Sequence, residues 1–152
     1  MTTLSREDAQ RISAGIRARA KELELEPLTI AVLDRGGHLR LLEREDGAAL
    51  LRPDIAIAKA WGTLGMGLPT RELARRNELM PGFFTALGAV SNGRMVPVPG
   101  GVLVLAGDEV VAAVGVSGST SDNDELCAVA GIESVGFVAD AAATPEVRNL
   151  EL

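Results

Sequence analysis

Residues 28–45 read LTIAVLDRGGHLRLLERE. Two β-rich runs flank the turn Arg35–Gly37, so this stretch predicts a hairpin of strands 28–34 and 38–45. Side chains alternate along a strand. That puts Leu39, Leu41 and Glu43 on one face and His38, Arg40, Leu42 and Arg44 on the other, so His38 and Arg44 are expected to share a face. His38 is the only histidine in the chain. A histidine in a turn is most often a solvated polar residue. Its functional readings are a metal or haem ligand, or a general acid or base. With one histidine, a multi-histidine metal site within one chain is excluded.

Upstream, residues 5–24 carry a helical pattern. Ser5 and Asp8 form a capping box, and Ile12 and Ile16 lie one turn apart on one face. Downstream, Pro53 opens a second helix, PDIAIAKAWGTLGMG. Gly62, Gly65 and Gly67 weaken it, each by about 1 kcal/mol relative to Ala, and imply close packing by another backbone. Thr70 is expected to cap a short polar helix, TRELARRNEL, with Arg71, Arg75 and Arg76 on a solvated face. FFTALG (83–88) is a short apolar turn or helix. VPVPGG is an extended lead-in, and VLVL and EVVAAVGVS are strands joined by the tight turn AGDE. Ser121 with Asp124 reads as a capping box opening a last helix that runs to Asp140. The tail 143–152 carries no strong signal. The expected order is α-β-β-α-α-β-β-β-α, which means α+β with an antiparallel sheet.

The chain has 152 residues, enough for a single domain over 1–152 with its own core. Aromatics are only 3% while the apolar fraction is 47%, so that core is built from small aliphatic pieces. A net charge of −6 argues against a nucleic-acid partner, which needs a basic stripe. The N-terminus lacks the apolar run of a signal peptide, and no run is long enough to span a bilayer. The single cysteine, Cys127, fits a reducing compartment and sits in a helical, apolar context that suits a core thiol. A cytoplasmic protein without a membrane partner is expected.

Chemistry has few candidates. Lys59 is the lone charge of Ile55–Leu68, and either snorkels, pairs with a carboxylate or anchors an anion. The bend at Pro99, Gly100 and Gly101 allows a ligand or another backbone to approach. In GVSGSTSDNDE (115–125) a strand feeds a helix, leaving the amides of 119–123 free for an anion unless Asp122 and Asp124 serve that terminus. There is no GxSxG elbow, no P-loop and no GxGxxG within a βαβ unit.

The segments IAVLDRGGHLRLLEREDGA (30–48), DIAIAKAWGTLGMGLPT (54–70), VPGG (98–101), GDEVVAAVGVSGST (107–120) and DELCAVAGI (124–132) occur in an order that resembles the GlcG/HbpS-like family, once called haem-degrading. Arg52-Pro53 departs from its usual small capping residue, and Arg71–Met95 has a composition of its own. The resemblance implies a profilin-like α/β/α sandwich with a roughly five-stranded antiparallel sheet, assembled as a homo-oligomer, a dimer or larger ring. It also implies links to haem in some members and to small-molecule metabolism in others. Three readings follow. In the first, a small anionic metabolite binds where VPGG, GVSGST and EREDG converge. Arg44, Lys59, Pro99, Gly100, Gly101, Ser117 and Gly118 would line that site. His38 with Asp46 or Glu125 would move protons in a hydrolysis, isomerisation or elimination that needs no organic cofactor. In the second, haem binds with His38, Met66, Met80 or Met95 as axial ligand and Arg44 or Arg94 on the propionates. In the third, the chain is a non-catalytic assembly partner.

Overall fold

The computed structural model describes residues 3–141. The first helix, α1, spans Arg6–Glu22. The capping box is present: Ser5 Oγ accepts the Asp8 amide at 3.0 Å and the Asp8 carboxylate accepts the Ser5 amide. The hairpin follows as β1 (Thr29–Asp34) and β2 (Leu39–Arg44). Then come α2 (Arg52–Met66), α3 (Thr70–Leu79) and α4 (Pro81–Val90). Strands β3 (Gly101–Ala106) and β4 (Glu109–Ser117) form the second hairpin, followed by α5 (Ser121–Ser134) and β5 (Val138–Asp140).

Among the described residues the five strands make one antiparallel sheet in the order β2-β1-β4-β3-β5. The α+β sandwich is therefore as expected, while its last elements differ. VPVPGG forms no strand of its own; only its last residue, Gly101, enters β3. The final helix stops at Ser134, Gly136 turns the chain at φ 90°, and 138–140 adds an edge strand instead of more helix. Glycine adopts that left-handed φ without the clash a Cβ brings, so this one residue converts helix into strand. The cap of α5 is Thr120, not Ser121; its hydroxyl accepts the Asn123 amide. Thr70 does not cap α3. Its hydroxyl accepts the Gly101 amide at 2.7 Å and ties α3 to β3. The tail 143–152 lies outside the described residues.

Strand alternation sorts the core into two layers. Ile30, Val32, Val102, Val104 and Val114 face α1 and α5 and meet Ile12, Ile16, Cys127, Ala128 and Ile132. Leu33, Leu103 and Ala113 face α2 and meet Ala60, with Trp61 and Leu64 at the margin. Glycines set how close the layers come. A Cβ on Gly115 would lie 1.9 Å from the Ala56 carbonyl oxygen, and one on Gly131 would lie 2.6 Å from the Ile12 carbonyl. The glycines of α2 itself have other roles. Gly62 adjoins Met95, Gly65 adjoins Trp61, and Gly67 ends the helix at φ 69°.

Two β-bulges break the alternation. Val32 pairs with Leu41 but Leu33 pairs with Leu39, leaving Arg40 as the extra residue. Arg40 consequently turns towards α1 and donates to the Leu4 carbonyl. The shared face predicted for His38, Arg40, Leu42 and Arg44 fails at this bulge. No helix among the described residues is long and apolar enough to cross a membrane.

Candidate functional site

The two ends of β1 carry the candidate residues, and they are different places. Asp34 ends the strand beside the turn that holds His38, whereas Thr29 begins it beside Arg44 and Ser117. Five residues of strand separate these ends, roughly 17 Å. His38 and Arg44 therefore cannot act on one small ligand within a single chain.

At the Thr29 end the glycine-rich bends do come together, around Lys59. Lys59 is 2% exposed, and its ammonium donates to the Val116 carbonyl at 2.9 Å and pairs with Asp124 at 3.1 Å. Burial pulls the Lys59 pKa below the ordinary lysine value; Asp124 opposes that shift and the nearby Arg52 adds to it. Gly100, at φ 124°, has no room for a side chain, because a Cβ would sit 2.7 Å from Lys59 Nζ. Gly101 packs as tightly on the Lys59 carbonyl, and Gly118, at φ 149°, on the Pro27 carbonyl. Pro99 is half-buried ahead of them. The space these glycines leave is filled by α2 and its lysine. Two of the amides expected to be free at α5 are engaged: the Ser119 amide donates to Asp124 at 2.9 Å and the Asn123 amide to Thr120 Oγ1.

The arginines of α3 are not a solvated face. Arg71 bridges Asp122 and Glu125 on α5, while Arg75 and Arg76 both hold the buried Glu72. Burial raises the Glu125 carboxyl above its ordinary range in spite of Arg71. Asp46 lies apart from Glu125, in an open groove of about 490 Å³ lined also by Arg17, Lys21, Pro27 and Glu45.

At the Asp34 end, the His38 side chain is 82% exposed, with Nδ1 3.3 Å from Asp34 Oδ1. That same oxygen accepts the amides of Gly36 and His38 at 3.0 Å, an Asx-type turn fixing the loop. Partial burial works to raise the Asp34 carboxyl, but these amides and the adjoining imidazole outweigh it and hold it below the ordinary range. A hollow of about 290 Å³ beside the turn is lined by Leu4, Asp34, Arg35, His38, Arg40 and Val111. Arg35 also pairs with Glu109 at 2.7 Å. On the other side of the turn Gly37 rests on Trp61, whose ring carries Arg94 at 4.0 Å. Sequence reasoning missed Asp34 as the partner of His38; the spacing D-x-x-x-H around two glycines was the available signal.

A family model described as haem degrading protein HbpS-like matches residues 4–133. The chain belongs to the HbpS-like family. A Citrobacter freundii relative, described as an uncharacterized 15.0 kDa protein in the dhaT-dhaS intergenic region, is 30% identical over 129 residues, covering 84% of this chain and 89% of its own. The structure of a Streptomyces reticuli HbpS double mutant matches this HbpS-like chain with TM-score 0.78 and 31% identity, over 90% of this chain and 89% of that one. The structure of a PduOC–haem complex matches with TM-score 0.83 over 91% of this chain and 99% of that one; at 24% identity this likeness carries the fold.

Proposed function

We propose that this HbpS-like chain binds haem at the Asp34–His38 turn. Haem needs an axial donor with a free lone pair, cations near its carboxylates and apolar surface for its ring. The turn supplies His38 as donor and Arg35 and Arg40 as cations, with Leu4 and Val111 as the apolar side chains of the same hollow. The other donors are worse placed. Cys127 is buried, with burial pushing its thiol up to about 11, and Met66 and Met95 pack against the cluster of Leu68, Leu73 and Phe84. Met80 is exposed at the α3–α4 junction, without such cations in the described contacts. Arg44 lies at the far end of β1, and Arg94 is stacked on Trp61.

The observation that carries the reading is the imidazole backed by a carboxylate. Metal-binding histidines usually give their second ring N–H to such a partner, which fixes the ring and strengthens the donor. Asp34 next to Nδ1 leaves Nε2 turned away as the ligating atom. Bound there, an iron porphyrin supplies one-electron chemistry and ligand exchange at iron; the chain's own part is to hold and orient it. The hollow of about 290 Å³ is at the small end for a ligand site, so much of the ring stays uncovered and modest affinity is expected. Titrating hemin into the full chain should shift the Soret band to that of a histidine-ligated form. His38→Ala should abolish that shift, and an unchanged spectrum in the variant overturns the proposal.

A further inference from the structure

The opposite end of the sheet carries a feature that haem binding leaves unused. Arg44, Thr29 and Ser117 are direct cross-strand neighbours on β2, β1 and β4, so their side chains form one row on the α2 face. Arg52, in the first turn of α2, reaches the same row and donates to Ser117 Oγ at 3.1 Å. Thr29 Oγ1 is completely buried and has no hydrogen-bond partner, the one such side-chain atom among the described residues. Buried hydroxyls without partners are rare and call for an explanation, a bound water or ion being one.

The charge at this end is unbalanced as well. Arg44 and Arg52 form no ion pair among the described residues, and Lys59 lies close beneath Arg52. The neighbouring carboxylates are committed elsewhere: Glu43 to Ser13, Glu45 to the Leu28 amide, Asp124 to Lys59 and Ser119. Asp54 stands exposed in the same first turn and offsets part of this charge. The N-terminus of α2, a 15-residue helix, has Leu51 at its cap position and no side-chain cap; α3 and α4 also lack one, but only the α2 start adjoins this row. An uncapped helix start, two unpaired guanidinium groups and an orphaned hydroxyl all favour one kind of guest.

We infer that the Arg44–Thr29–Ser117 row, closed by Arg52, binds a small oxyanion, a carboxylate or phosphate group. The guanidinium groups clamp its oxygens and the Thr29 hydroxyl donates to one of them. Exposed Arg44 forms the entrance and Arg52 the inner wall. This site is independent of the haem reading, which concerns the other end of β1.

The test uses the full chain and thermal midpoints at fixed ionic strength, with acetate, malonate, phosphate or sulfate replacing chloride. At least one oxyanion should raise the midpoint and give a saturable isotherm by calorimetry. Malonate or acetate winning over phosphate identifies a carboxylate guest; the reverse identifies a phosphate. Arg44→Gln and Arg52→Gln should each weaken that isotherm tenfold or more, and the near-isosteric Thr29→Val should weaken it several-fold without lowering the midpoint in chloride. Arg17→Gln, in the separate groove of α1, should leave it unchanged. No oxyanion acting beyond chloride, or equal binding by Thr29→Val and the two glutamine variants, overturns the site.

Discussion

His38 and Lys59 stand at opposite ends of one sheet and show opposite solutions to placing a basic nitrogen. Lys59 is sealed between α2 and the sheet, donating to Val116 and Asp124, with glycines packed tightly around it. His38 stands in water with a single carboxylate behind it. The first arrangement fixes the fold at the cost of chemistry, since no ligand reaches the ammonium. The second leaves a donor atom free and contributes little to stability. A buried group is costly to disturb, an exposed one cheap, and variants can measure that contrast directly.

The largest effect is expected at Lys59. Lys59→Met strands the Asp124 carboxylate in the interior, and breaking a buried pair from one side costs about 3–5 kcal/mol. Denaturant unfolding should show that loss, and adding Asp124→Asn should recover part of it. The pH dependence follows from the sign of the shift. Burial lowers the folded-state pKa, so the unfolded chain holds more protons between that value and the ordinary lysine value. Stability of the parent chain should therefore rise as pH rises through that window, and Lys59→Met should lose this slope. Gly115→Ala comes next. Its new Cβ would overlap the Ala56 carbonyl, a backbone atom that moves only with all of α2, at about 3 kcal/mol. If Gly115→Ala melts with the parent, α2 does not lie on β4 this closely.

Much of this architecture was legible in the chain. The capping box at Ser5, the hairpin around Arg35–Gly37 and the strands after VPGG all follow from local rules and hold in the fold. What local rules miss is tertiary. The bulge at Arg40 depends on twist within the sheet, so alternation counted along β2 mistakenly joined His38 to Arg44. Gly100 and Gly118 look like ligand loops in sequence, yet the room they make is taken by Lys59 and by the Pro27 carbonyl. Sequence points to a free helix start at α5, where Thr120 caps it, while the helices that start without a side-chain cap are α2, α3 and α4. A missing cap shows itself only once the neighbouring side chains are known.

At the exposed end the expected changes in stability are small and those in binding large. His38→Ala should unfold within about 0.5 kcal/mol of the parent, as surface substitutions do, while hemin binding is lost. That dissociation between folding and binding is the reverse of the Lys59 pattern, and a large stability loss in His38→Ala would erase the contrast.

Asp34→Asn gives the finest test, because it keeps the shape of the turn and removes only the charge behind the imidazole. The Asn side-chain oxygen still accepts the Gly36 and His38 amides, so the loop should persist. The folded-state pKa of Asp34 is depressed; its stabilising contribution is thus complete above the ordinary carboxylate value and fades as pH falls through the lowered one. Asp34→Asn should flatten this part of the acid limb of the stability profile. It should also weaken hemin binding about tenfold, the lower end of what removing a partner behind a metal-binding histidine usually costs. Equal hemin affinity in Asp34→Asn and the parent would mean that His38 acts alone, and the carboxylate serves only the turn.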